Sequence, residues 1–186
     1  MTIRRPDVPT AALFGGASLV LAGCAATPTD AHRPFGPPPT AEAASDDDLA
    51  RLRSLAGDWD ADLDGDGTAD TVVSFQTTAN GSAVIERQFL GEPYEMVSVY
   101  HLDGDRLMLT HYCAATNQPR MIAFEVEDDG LAFDLLDITN LAGPDAMHIH
   151  AARIEFIDDD HVTSTWTHWA DGRPGDPAVF RMTRRR

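Results

Sequence analysis

The sequence predicts an all-β domain: an antiparallel up-and-down β-barrel of about 8–10 strands, entered through one short N-terminal helix. Three observations carry this. Strand-like runs follow one another from Gly57 to the C-terminus, near 57–63, 69–78, 82–90, 94–102, 106–113, 120–127, 130–137, 147–157, 161–170 and 178–184. Turn residues punctuate them: Asn80-Gly81, Asp103-Gly104, Asp129-Gly130 and Asp171-Gly172 suit tight hairpins, and Asp158-Asp159-Asp160 is a further turn. A meander of this many short strands removes its exposed edges by closing on itself.

Ahead of the domain, residues 1–23 read as a targeting segment. Arg4 and Arg5 form a basic start, and Ala11–Leu21 is an apolar run too short to span a bilayer as a helix. It ends in Leu21-Ala22-Gly23-Cys24, which resembles the lipobox of bacterial lipoproteins. That resemblance implies cleavage before Cys24, a diacylglycerol on its sulfur, and, from Ala25 after the cysteine, the periplasmic face of the outer membrane. Residues 24–44 are rich in Ala, Thr and Pro and form a tether to the barrel domain at 45–186.

The domain opens on Ser45-Asp46-Asp47-Asp48, with a serine to cap a helix and acids at the positive end of its dipole. Leu49, Leu52 and Leu55 make its apolar stripe, and Gly57 stops it. The first strand then carries Gly57-Asp58-Trp59. A short helix, a Gly-x-Trp and an antiparallel meander resemble the lipocalin and fatty-acid-binding group, the calycins. The resemblance implies that Trp59 closes the barrel floor against an arginine from the last strand, Arg181 or Arg184, and that a small apolar or amphipathic molecule binds inside. The T-H-Y-C…N-Q-P and M-H-x-H elements are also similar to those of other bacterial lipoproteins, and no activity comes with that likeness.

Composition excludes some functions. All 14 basic residues are arginine, so Schiff-base chemistry by a lysine is absent. A net charge of −16 repels phosphate backbones and argues against nucleic acid as a partner. There are two cysteines; with Cys24 lipidated, Cys113 is a lone thiol.

The chemistry-bearing residues gather in two runs, L-T-H-Y-C and M-H-I-H. Read as a three-residue loop, the Asp103-Gly104 turn sets Glu95 across from His111, on one face with Val97, Val99, Leu107, Leu109 and Cys113. Three readings follow. In the first, Glu95, His111, Tyr112, Cys113, His148, His150 and Trp166 supply the polar contacts of a small-molecule site in the barrel interior. In the second, His111, Cys113, His148 and His150 hold zinc or copper, whose preferred ligands are nitrogen and sulfur. In the third, the barrel is filled and the protein is a structural envelope component. A Cys–His nucleophile is the weakest alternative, because no motif supplies an oxyanion hole or an orienting third group. Binding is therefore expected rather than catalysis. Asp62-x-Asp64-x-Asp66-Gly67 resembles the start of an EF-hand loop, but Val73 stands where the bidentate glutamate belongs, so it reads as an acidic turn.

Overall fold

The structure, a computed structural model, describes residues 39–63 and 67–186. The signal segment, Cys24, most of the tether and the centre of the Asp62–Asp70 acidic loop lie outside the described residues. Helix α1 (Asp46–Ser54) begins as the sequence dictates: Ser45 and Asp48 form a reciprocal capping box, and three aspartates occupy the first turn. Leu49 and Leu52 are buried, and Gly57 (φ +128°) turns the chain into the first strand in a conformation that side chains other than glycine resist.

Eleven strands follow: β1 (Gly57–Ala61), β2 (Asp70–Thr78), β3 (Ala83–Gln88), β4 (Met96–Asp103), β5 (Arg106–Tyr112), β6 (Gln118–Glu127), β7 (Gly130–Thr139), β8 (His148–Asp158), β9 (His161–Ala170), β10 (Arg173–Pro174) and β11 (Ala178–Arg184). Strands β1 to β9 pair with their sequence neighbours, β9 pairs with β11, and β11 returns to β1, all antiparallel. The result is a closed ten-stranded barrel with one short helix, as the strand count and turn spacing predict. The two-residue β10 is an extra ribbon on β9. It is made by a tight turn with positive φ at both Asp171 and Gly172, and the chain then bends back to reach β11.

Two turns differ from expectation. Glu127 pairs with Gly130, so Asp128-Asp129 is the loop and Gly130 is the first residue of β7. More consequentially, Asp103 pairs with Arg106, leaving a two-residue loop with positive φ at Gly104 alone. Ser98, not Glu95, therefore stands opposite His111. One residue of register moves a whole side-chain set to the other face. Glu95, Val97 and Val99 thus lie on the outer side, and Ser98 and Tyr100 replace them within.

The helix closes one end of the barrel. Leu49, Leu52 and Leu55 pack into a continuous buried cluster with Trp59, Val84, Leu107, Leu131 and Ile154, among others. Trp59 donates its indole N–H to Leu55 O (2.8 Å), and the Arg184 guanidinium lies 4.3 Å over its ring. Arg184 also donates to Ser54 O (2.9 Å), Ala56 O (3.0 Å) and Asp159 O (2.9 Å), so it satisfies the last carbonyls of the helix. Arg181 faces solvent.

Candidate functional site

Alternation along each strand decides what the interior holds. On β3 the inward residues are Val84, Glu86 and Gln88; on β4, Ser98 and Tyr100; on β5, Leu107, Leu109 and His111; on β9, Ser164 and Trp166. The pairings Glu86 with Ser98 and Ser98 with His111 set an acid, a hydroxyl and an imidazole side by side on three adjacent strands. All three are fully buried. Toward the helix, the next inward row on β3–β6 is Val84, Tyr100, Leu109 and Met121, with no solvent exposure at any of them. The polar row therefore lies toward the barrel's other end, away from the helix, which we call the mouth end.

Its hydrogen bonds are nearly complete. Glu86 accepts from the Tyr100 hydroxyl (2.5 Å) and from Gln88 Nε2 (2.8 Å). Burial raises its carboxyl to about 7 against these two bonds, which pull the other way. The same burial, with the neighbouring carboxyl, pushes the Tyr100 phenol well up. Ser98 Oγ lies 2.9 Å from His111 Nδ1, and Trp166 donates its indole N–H to Ser164 Oγ (3.3 Å). The His111 and Trp166 rings meet across the barrel with centroids 5.0 Å apart. Desolvation lowers His111 to about 4, so it is neutral at physiological pH.

Two atoms break the pattern. His111 Nε2 is buried and has no hydrogen-bond partner, and neither has Asn117 Oδ1. Both belong to the mouth end: His111 is the penultimate residue of β5, and Asn117 immediately precedes β6, its Nδ2 donating to Met147 O (2.8 Å) at the start of β8. A buried polar atom without a partner costs about 1–3 kcal/mol, so a fold retains few of them without a use.

The other candidates lie elsewhere. His148 and His150 stand near a bulge, where the pairing skips from Ile149–His168 to Ala151–Thr167. Ile149 packs on the core, whereas His150 stacks on Trp169 (4.2 Å) and its Nε2 lies 3.6 Å from Asp134, a residue that alternates with the inward Phe133 and Leu135. His150 is therefore on the outer face. His148 is buried against its own turn, Nδ1 2.9 Å from Ala146 O and Nε2 3.2 Å from His150 Nδ1. The expected four-ligand set of His111, Cys113, His148 and His150 is split by the barrel wall. Among the described residues no group of three or more His, Cys, Asp or Glu side chains is arranged to hold a metal ion.

Cys113 has left β5 and is half-buried, its Sγ accepting from Ala115 N (3.5 Å), and burial raises its thiol rather than activating it. Tyr112 projects outward, 51% exposed. Glu95 is held outside by Arg87 (3.0 Å) and Gly91 N (2.9 Å). Of the seven residues expected to line the site, His111 and Trp166 meet in the interior.

Glu86, Gln88, Ser98, Tyr100 and Asn117 are the functional candidates that sequence reasoning missed. The alternation Val84-x-Glu86-x-Gln88 contained the signal, because an acid sharing a face with a core valine announces a buried carboxyl.

At the helix end, a surface cleft of about 430 Å³ is lined by Arg51, Leu55, Phe156, Asp159 and Arg184, among others. Its cations are already engaged: Arg51 donates to Asp128 O (2.9 Å) and lies 4.5 Å over the Phe156 ring, and Arg184 holds the helix terminus. Fold and site together define a closed β-barrel with a buried polar row toward the end opposite the helix. Comparison of the chain with protein-family models and with curated proteins finds no match.

Proposed function

We propose that this is a lipid-anchored envelope protein that binds a small amphipathic molecule at the mouth of its barrel. The observation that carries the reading is the unpartnered, fully buried His111 Nε2 beside Trp166. A ligand polar group there completes the one hydrogen bond the interior row lacks, and the Trp166 ring offers an apolar wall beside it. Nothing in the row resembles a nucleophile with its base: Ser98 and His111 share a bond through Nδ1, but the acid on the same row is bonded to Tyr100 and Gln88 instead. The role is therefore binding. The anchor is Cys24, with the barrel held at the periplasmic face of the outer membrane; this part rests on the Leu21-Ala22-Gly23-Cys24 sequence alone.

A second reading, a structural lipoprotein with a filled barrel, has one observation in its favour. Trp59, Tyr100, Phe133 and Leu109 fill the helix-side half with no exposed surface. Native mass spectrometry of the protein released from its own envelope tests both. The binding reading expects an organic mass beyond the lipid-modified chain, lost on denaturation and absent from His111→Phe. A bare lipid-modified chain in both proteins supports the structural reading.

A further inference from the structure

The charge of the interior says what kind of polar group the mouth accepts. From the Glu86 row the barrel offers a carboxyl, an amide, hydroxyls and an imidazole, and every one of these side chains is buried. Among the described residues no arginine is buried. The sequence has no lysine, and Arg87, Arg120 and Arg153 are engaged outside with Glu95, Asp137 and Glu125, while Arg173 and Arg181 are exposed on the surface rather than on the interior row. Arg184 is committed to the opposite end. A buried anion without a cation or several donors is strongly disfavoured, and here the nearest titratable neighbour is itself an acid. A cation must compete with Tyr100 and Gln88 for the Glu86 oxygens, and the neutral His111 ring gives it no charged partner.

The rim complements this. Leu63, Tyr94 and Met147, from three different loops at the mouth end, are 43%, 52% and 44% exposed. Tyr94 sits edge-on to Phe89 (5.3 Å), which in turn contacts Phe180 (5.7 Å), so an apolar surface runs from the rim toward the core. A short amphipath with its head on the polar row has apolar surface to meet as it leaves.

Resting on the binding function proposed above, we infer that the mouth selects an uncharged hydrogen-bonding head group, an amide or alcohol on a short apolar tail, with His111 Nε2 as its anchor and against carboxylates and amines of the same length. The imidazole tautomer follows from the Ser98 bond: with Ser98 donating to Nδ1, Nε2–H donates to a ligand carbonyl or hydroxyl; with the bond reversed, Nε2 accepts from a ligand N–H or O–H. A primary amide satisfies both cases.

Calorimetric titration of the full chain with octanamide, octanoate and octylamine at neutral pH tests this. Octanamide is expected to bind at least about tenfold tighter than either charged analogue, in line with the cost of an unpaired buried charge. His111→Phe is expected to lose that preference, and His111→Gln, which keeps an amide at the position, to retain it. Octanoate or octylamine binding as tightly as octanamide overturns the inference while leaving a binding barrel intact. No binding by any of the three also overturns it, and the native mass measurement then judges the binding reading separately. Should His111→Phe fail to fold, the ranking of the three probes by the unaltered protein decides the matter.

Discussion

The two ends of the barrel are built by opposite rules. At the helix end the polar groups around Trp59 are paired: its indole with Leu55 O, and the helix-terminal carbonyls with Arg184, which also covers the ring. At the mouth end His111 Nε2 and Asn117 Oδ1 have no partner, and the exposed Tyr94 and Met147 stand at the rim. The first arrangement closes the barrel; the second costs stability and keeps hydrogen-bonding capacity in reserve. On the binding function proposed above, stability and binding belong to different halves of one continuous core, and substitutions at the two ends have different signatures.

The largest effect belongs to the closed end. Trp59→Ala removes a fully buried ring, together with its indole hydrogen bond and its arginine partner, and is expected to destabilise by about 3–5 kcal/mol in urea unfolding. A loss below about 1 kcal/mol would mean that the helix end is not the stabilising half.

Next come the titrating groups of the mouth row. Glu86 has a folded value near 7 against 4.5 for the free group, so the folded state holds a proton that the unfolded chain releases. Its contribution is present at or below 4.5 and is lost as pH rises to about 7. His111 does the reverse: its folded value, near 4, is below the free 6.5, so its contribution is present above 6.5 and is lost as pH falls toward 4. The two slopes oppose one another where the windows overlap, so the intact protein has a flattened profile there. Glu86→Gln keeps the shape, removes one slope and is expected to gain roughly 2–3 kcal/mol at about pH 8, with little change near pH 4.5. Unfolding free energies measured across pH read this directly, and a variant whose gain does not grow with pH would contradict the buried-carboxyl account.

A smaller gain is expected from removing the orphaned His111 Nε2 together with the Ser98 partner of its ring. Ser98→Ala with His111→Phe replaces two buried polar partners by apolar groups and is expected to stabilise by about 1 kcal/mol while abolishing octanamide binding. Improved stability with unchanged binding would separate the orphan atom from the site. The smallest effect is at Glu95, whose pairing with Arg87 lies on the outer face. Glu95→Ala is expected to cost no more than about 1 kcal/mol and to leave binding untouched.

The barrel was legible in the sequence because strand alternation and turn pairs are local, and β1 to β9 run in chain order. The site was legible only in part, for a physical reason at one turn. Asp103-Gly104 fits a two-residue or a three-residue loop, and the choice flips every side chain of β4. Choosing three residues puts Glu95 inside and Ser98 outside; the closed barrel has them the other way round. The M-H-I-H run fails through the bulge beside His150, an interruption that composition does not announce. The Trp59 contact was legible only through the calycin resemblance of its Gly-x-Trp, which offered Arg181 or Arg184 as the partner, and it is Arg184 that lies over the ring. Glu86 was hidden in plain alternation, its importance appearing only once Tyr100 and Gln88 are seen to turn toward it.

The contrast between the two ends comes down to which indole responds to a ligand. A ¹⁵N–¹H titration of the full chain with octanamide follows the indole N–H signals of Trp59 and Trp166 side by side. The mouth-end account predicts that Trp166 and the His111 ring move together and saturate, while Trp59, beneath the helix, stays still. Movement of Trp59 with a stationary Trp166, or no movement at either ring, would contradict it.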